Sequence, residues 1–116
     1  MNLLPAVLSH QGSAVELNGR TLSLASRLSQ RADGAELTLG IRPENIELSA
    51  EGMAVPVNLI EPLGSEMLVH GAMADGELLT VKLPSHTPVG DTISVSFPPQ
   101  HLHLFDRASG LRIDPA

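Results

Sequence analysis

Leu37-Thr-Leu-Gly-Ile-Arg-Pro-Glu-Asn-Ile-Glu-Leu48 is the stretch whose reading decides the fold. Thr38 to Ile41 alternates polar and apolar positions with a period of two, the pattern of a half-buried strand. Pro43 then fixes φ and removes a backbone donor, so the strand stops at an Arg-Pro-Glu corner. Gly40 reads as a strand glycine where a bulky side chain would block close backbone approach within a barrel. Arg42 and Glu44 flank the proline. Either they cap the corner through local hydrogen bonds, or they present a contact surface to a neighbouring domain or subunit.

The same period runs outward in both directions. Val15–Leu17 and Thr21–Leu24 alternate on either side of Asn18-Gly19, a dipeptide that tolerates positive φ at both positions and so favours a tight primed turn. Beyond the corner come Val55–Ile60 and Glu66–Met73, then an Asp75-Gly76 turn into Glu77–Leu83, then Thr92–Phe97 and His101–Phe105. Eight short strands are predicted, spaced as in a sandwich or small barrel. Helical turns are expected only at Ala25–Arg31 and Pro43–Ile46. The chain reads as all-β. Residues 1–36 are expected to form a leading hairpin unit that completes the sheet of a main barrel over 37–116, with no linker separating two domains.

Composition narrows the function classes. The chain has 116 residues, 42% of them hydrophobic and 17% charged, which suffices for a core and argues against a disordered tail. Its net charge of −6 opposes a phosphate backbone, and Phe97 and Phe105 are the only aromatics available for stacking on bases. Nucleic acid is therefore not an expected partner. There is no cysteine, so disulfides, thiolate chemistry and cysteine-ligated zinc are excluded; this fits a reducing compartment. The opening Met1-Asn-Leu-Leu-Pro-Ala6 has no basic flank and is broken by Pro5, making a poor signal peptide. No apolar run is long enough for a membrane helix, so direct insertion is not expected.

Chemistry is thin. Phosphate cradling needs Gly-x4-Gly-Lys-Ser/Thr, but the sole lysine, Lys82, follows Val81 and has no glycine neighbour. Leu102–Asp106 resembles a hydrophobic run ending in a magnesium-binding Asp; without a phosphate loop it reads as a core strand ending in a polar turn. His101 and His103 would share one strand face and offer a metal two nitrogens, short of a tetrahedral set. Asp33, Glu61, Glu66 and Asp75 supply carboxylates in turn and strand-edge settings that suit solvated charge better than acid–base work. Ser65 follows Gly64 without a Gly-x-Ser-x-Gly elbow. No catalytic, cofactor-binding or metal residues are expected.

Gly40-Ile-Arg-Pro-Glu44, then Leu63-Gly-Ser-Glu66, then His101–Asp106 with Gly110 and Arg112-Ile113, in that order, resemble the C-terminal regulatory region of ABC-importer ATP-binding subunits for sugars and sn-glycerol-3-phosphate. Met1–Leu4 resembles the segment that follows their nucleotide-binding domain. That region carries a transport-associated OB (TOBE) domain. The resemblance implies OB-like or MOP-like small barrels and a non-catalytic regulatory role, with ATP and Mg confined to the parent subunit. It also implies homodimerisation, contact with the chain's own ATPase domain, and indirect contact with the transporter's membrane subunits at the cytoplasmic side of the inner membrane. In related barrels small oxyanions bind at subunit seams through backbone N–H groups and hydroxyls, a role open to Ser65 or Ser85. Gly40, Arg42, Pro43 and Glu44 are the expected interdomain motif. Leu63, Gly64, Ser65 and Glu66, with the adjoining Met67–Val69, are the expected dimer patch. A stand-alone barrel binding a small oxyanion is the alternative, and an independent enzyme is the third.

Overall fold

The computed structural model describes residues 1–113, which hold ten strands and no α-helix. The strands form two antiparallel-paired sheets: a six-stranded one ordered β10-β9-β4-β1-β2-β3 and a four-stranded one ordered β7-β6-β5-β8. By its contacts the chain groups into two compact units. One comprises Met1, Leu3–Ile41 and residues 99–113; the other comprises Asn2 and Arg42–Pro98. These bounds differ from the expected 1–36 and 37–116. Residues 99–113 return to the first unit because β9 pairs with β4 there.

The first unit is built from β1 (Asn2–Ser9), β2 (Ala14–Leu17), β3 (Arg20–Ser23), β4 (Glu36–Ile41), β9 (His103–Asp106) and β10 (Arg112–Ile113). β1 and β10 are strands that the expected eight did not include. In β1 alternate residues turn inward, so Leu4, Ala6 and Leu8 join Val15, Leu17, Leu37, Leu39, Ile41 and Leu104 in a fully apolar core. Each of these side chains except that of Ala6 contributes about 1.5–3 kcal/mol by leaving water. Pro5 does not break β1: it points outward, and the register with β2 begins only at Val7. The β2–β3 turn is the Asn18-Gly19 hairpin, with φ of 53° and 78° and Leu17 opposite Arg20.

Ala25–Arg31 is not helical. Leu28 is buried there, and its N–H is donated to the Gly12 carbonyl at 2.8 Å rather than to a preceding turn. The 3-10 turn His10–Gly12 has positive φ at all three residues. Asp33 supports it by accepting the N–H groups of Gln11 and Gly12 at 2.9 and 3.2 Å. Pro99–His101 forms another 3-10 turn, closed by the Leu102 N–H on the Pro99 carbonyl. The expected strand over His101–Phe105 therefore begins at His103, and the two histidines do not share a strand face.

The second unit contains β5 (Glu47–Pro62), β6 (Glu66–Ala72), β7 (Leu78–Pro84) and β8 (Thr92–Ser96). β5 is far longer than the expected Val55–Ile60. Its first part pairs with β8 and its last part with β6, so one bent strand serves both neighbours. Leu48 and Met53 both lie opposite Val95, so residues between them bulge from the ladder. Met53, Val55, Met67, Val69, Leu79, Val81, Leu83, Ile93 and Val95 fill the core. Asn2 belongs to this unit: its amide accepts the Thr80 N–H and donates to the Thr80 carbonyl, at 2.9 and 2.8 Å, satisfying a backbone pair on edge strand β7.

Candidate functional site

The Arg-Pro-Glu corner is a single 3-10 turn, Pro43–Asn45. Arg42 is extended before it (φ −75°, ψ 145°), and the Asn45 N–H reaches the Arg42 carbonyl at 3.0 Å. The residue before a proline is driven to this extended region, which explains why the strand ends where it does. Neither charge caps the turn through its side chain. Arg42 and Glu44 are both exposed and make no side-chain hydrogen bond or ion pair among the described residues. Of the two readings open in the sequence, local capping is not realised, and the charged groups face water.

Gly40 faces side chains, not backbone. A Cβ there would lie 2.9 Å from the Met1 sulfur, 3.0 Å from the Phe105 ring and 3.4 Å from Leu3. Met1, Leu3 and Phe105, with Thr38 and Gly110, line an apolar groove of about 310 Å³ in the first unit. Met1 and Leu3 are largely exposed and free to swing aside. Gly40→Val is therefore expected to cost about 1 kcal/mol, at the low end for overpacking, rather than to unfold the unit. Chemical denaturation checks this. A loss above about 3 kcal/mol would mean that the groove walls are rigid.

Leu63-Gly-Ser-Glu66 is the tip of the β5–β6 hairpin. The Leu63 N–H bonds the Glu66 carbonyl at 2.8 Å, and Gly64 supplies φ 91°, a positive φ at the first central position only, as in a II′ turn. Leu63 is 49% exposed. Glu66 pairs with Lys82 at 3.3 Å, so the only ammonium side chain is already engaged at this tip. Ser65 and Ser85 are brought together through the backbone, the Ser85 N–H donating to the Ser65 carbonyl at 3.0 Å. Met67 and Val69, expected on the dimer patch, point into the core and cannot contribute to a surface.

The remaining candidate groups hold the fold. On the outward face of the second sheet, His70 sits between Glu61 (Nε2 to Oε1, 3.1 Å) and Thr80 (Nδ1 to Oγ1, 3.1 Å). Asp75 accepts the Glu77 N–H within its turn. Asp106 accepts both the backbone N–H and the hydroxyl of Ser109, and those bonds hold its carboxyl below the usual range. No group of three or more His, Asp or Glu side chains gathers at one point among the described residues. Arg107, unremarked in the sequence, ties the first unit together. It donates to the Ala6 carbonyl at 2.7 Å and the Leu37 carbonyl at 3.2 Å, and pairs with Glu36 at 3.5 Å. Its proximity to Asp106 was the only sequence signal available.

Two small antiparallel β units make up the described residues, an all-β, OB-like fold. The chain belongs to the TOBE domain family, whose sequence profile matches residues 39–105, and the MalK OB fold domain profile matches residues 1–46. Among curated proteins it is 40% identical over 99% of its length to "sn-glycerol-3-phosphate import ATP-binding protein UgpC" of Yersinia pestis bv. Antiqua (strain Antiqua). It is 42% identical over 97% to the protein of that name from Paraburkholderia xenovorans (strain LB400), and 36% over 97% to that of Escherichia coli O1:K1 / APEC. The chain spans 33% of the length of each. Among solved structures, the cytoplasmic molybdate-binding protein ModG, with molybdate bound, shares the fold at a TM-score of 0.64 and 16% identity. That match covers 89% of this chain and 94% of that one.

Proposed function

We propose that this chain is the non-catalytic regulatory and dimerisation domain of the ATP-binding subunit of an ABC importer for a sugar or sn-glycerol-3-phosphate. The observation that carries this is the near end-to-end identity of about two residues in five with import ATP-binding proteins of which it spans a third. On this reading ATP and Mg bind the part of the subunit outside this chain. That is consistent with a sequence that has no phosphate loop and whose one lysine is paired with a glutamate. The domain works at the cytoplasmic side of the inner membrane, beside its own ATPase domain and only indirectly with the membrane subunits. Arg42 and Glu44, exposed at the corner, are contact residues for the ATPase domain. The Leu63–Glu66 tip belongs to the contact between twin domains.

A two-fold assembly uses one patch on both copies, so a single charge placed in it acts twice. Sedimentation equilibrium should give a concentration-dependent dimer for the chain. Leu63→Asp should raise its dissociation constant at least about tenfold, equivalent to about 1.4 kcal/mol. A chain that stays monomeric at the highest attainable concentration would overturn the dimerisation role.

A further inference from the structure

Three polar side chains line up across the outward face of the second sheet, one on each of β5, β6 and β7. Thr80 lies directly opposite His70 in the β6–β7 register. The Thr80 N–H and C=O go to the Asn2 amide, away from β6. His70 and Thr80 are therefore a non-hydrogen-bonded pair, the kind in which facing side chains approach most closely. His70 Nδ1 meets Thr80 Oγ1 at 3.1 Å. Glu61 faces Leu68, so it sits diagonal to His70, within reach of a long side chain. Its Oε1 lies 3.1 Å from His70 Nε2.

As a carboxylate, Glu61 can only accept a hydrogen bond, so Nε2 carries the proton of the neutral ring. Nδ1 is then the acceptor, and the Thr80 hydroxyl donates to it. Glu66 and Lys82, the other charged residues of β6 and β7, pair with each other at 3.3 Å and leave Glu61 to His70. Thr80 and His70 are half-buried, each with part of its surface open to solvent. An alcohol within reach of a base, with the base oriented by a third group, is the arrangement that activates a weak nucleophile.

We propose that Thr80 is an acylation site, its hydroxyl activated by His70 and Glu61 toward small activated acyl donors, acyl phosphates or aryl esters. Thr80 Oγ1 attacks the acyl carbon and forms the new C–O bond while its proton passes to His70 Nδ1. The bond from the acyl carbon to the leaving oxygen breaks, and that oxygen departs with the electron pair. The imidazolium, held opposite the Glu61 carboxylate, then gives its proton to solvent. Each chain takes up one acyl group at this site. Thr80 is the nucleophile, His70 the base and Glu61 a positioning residue. The inference is independent of the role proposed above. Acylation removes the donor that His70 accepts and adds apolar surface two residues from the exposed Leu78, so it changes the character of this face.

p-Nitrophenyl acetate is the probe. Its reaction with the chain should release p-nitrophenolate, and mass spectrometry of proteolytic fragments should place an acetyl group on Thr80. Thr92, exposed on β8 and bonded to no histidine among the described residues, is the internal reference. Thr80 should be acetylated at least about a hundredfold faster, the lower range for general-base assistance. Its rate should rise with pH as the imidazole loses its proton and then level off. His70→Gln keeps a hydrogen-bonding side chain without a base; it should bring Thr80 down to the Thr92 rate and abolish the inflection. Glu61→Gln should lower the plateau about tenfold, because an amide can turn its donor toward Nε2 and favour the wrong tautomer. Circular dichroism of each variant verifies the β signature, and the comparison of Thr80 with Thr92 in the parent needs no variant. Thr80 labelled no faster than Thr92, or labelled at an unchanged rate in His70→Gln, would overturn the proposal and leave the three groups as a hydrogen-bonded ladder.

Discussion

Gly52→Ala should lower the stability of the second unit by about 3 kcal/mol or more, which for a domain of this size is a fall in melting temperature of about 10–20 °C. Gly52 lies in the β5 bulge where both Leu48 and Met53 face Val95. A Cβ would collide with the Val95 carbonyl oxygen and lie 2.6 Å from the Val95 carbonyl carbon. These are main-chain atoms of a paired strand. They can move only by pulling β8 from its ladder, unlike the swinging side chains around Gly40. Thermal melts of Gly52→Ala and Gly40→Val side by side provide the comparison, with the first expected to lose far more. A Gly52→Ala melt within a few degrees of the parent would mean that β5 and β8 do not approach closely at the bulge.

Arg107→Ala is the second large effect, a loss of about 2–3 kcal/mol from the first unit. The planar guanidinium donates to carbonyls on two neighbouring strands at once, Ala6 on β1 and Leu37 on β4, and truncation leaves both part-buried acceptors to find other donors. The ion pair with Glu36 adds little, because Glu36 is mostly exposed. Arg107→Lys should recover less than half of the loss, since a single ammonium replaces two nitrogens: Nη2, which bonds both carbonyls, and Nε, which gives Leu37 its second bond. Urea titrations should show a lower midpoint at unchanged slope for Arg107→Ala. A lysine variant as stable as the parent would show that only the charge matters.

The strands with strict alternation and good turn signals were legible in the sequence. The hairpin around Asn18-Gly19, the Asp75-Gly76 turn, the corner at Pro43 and the all-β class all stand. What escaped was set by tertiary partners. β1 carries a proline, yet the part of the strand containing it is not paired by β2. Ala25–Arg31 has helical composition, but Gly12 offers the Leu28 N–H a better acceptor. β10 is two residues long and exists only against β9. The motifs at Gly40–Glu44 and Leu63–Glu66 stand out in the sequence, but their exposure, the burial of Met67 and Val69 behind the hairpin tip and the bonds of Arg107 depend on which strands become neighbours.

The crossings between the two units have a temporal consequence. The chain leaves the first unit after Ile41 and re-enters it at Pro99, and Leu37 must wait for Asp106 as its strand partner. At ribosomal speeds of about 5–20 residues per second, that partner is synthesised roughly 3–14 s after β4. During this interval residues Arg42–Pro98 of the second unit are synthesised. Once folded, it shortens the effective loop that β9 must close to reach β4. Meanwhile β4 has one naked edge, and the inserted unit acts as a clock that sets how long the nascent first sheet stands unfinished.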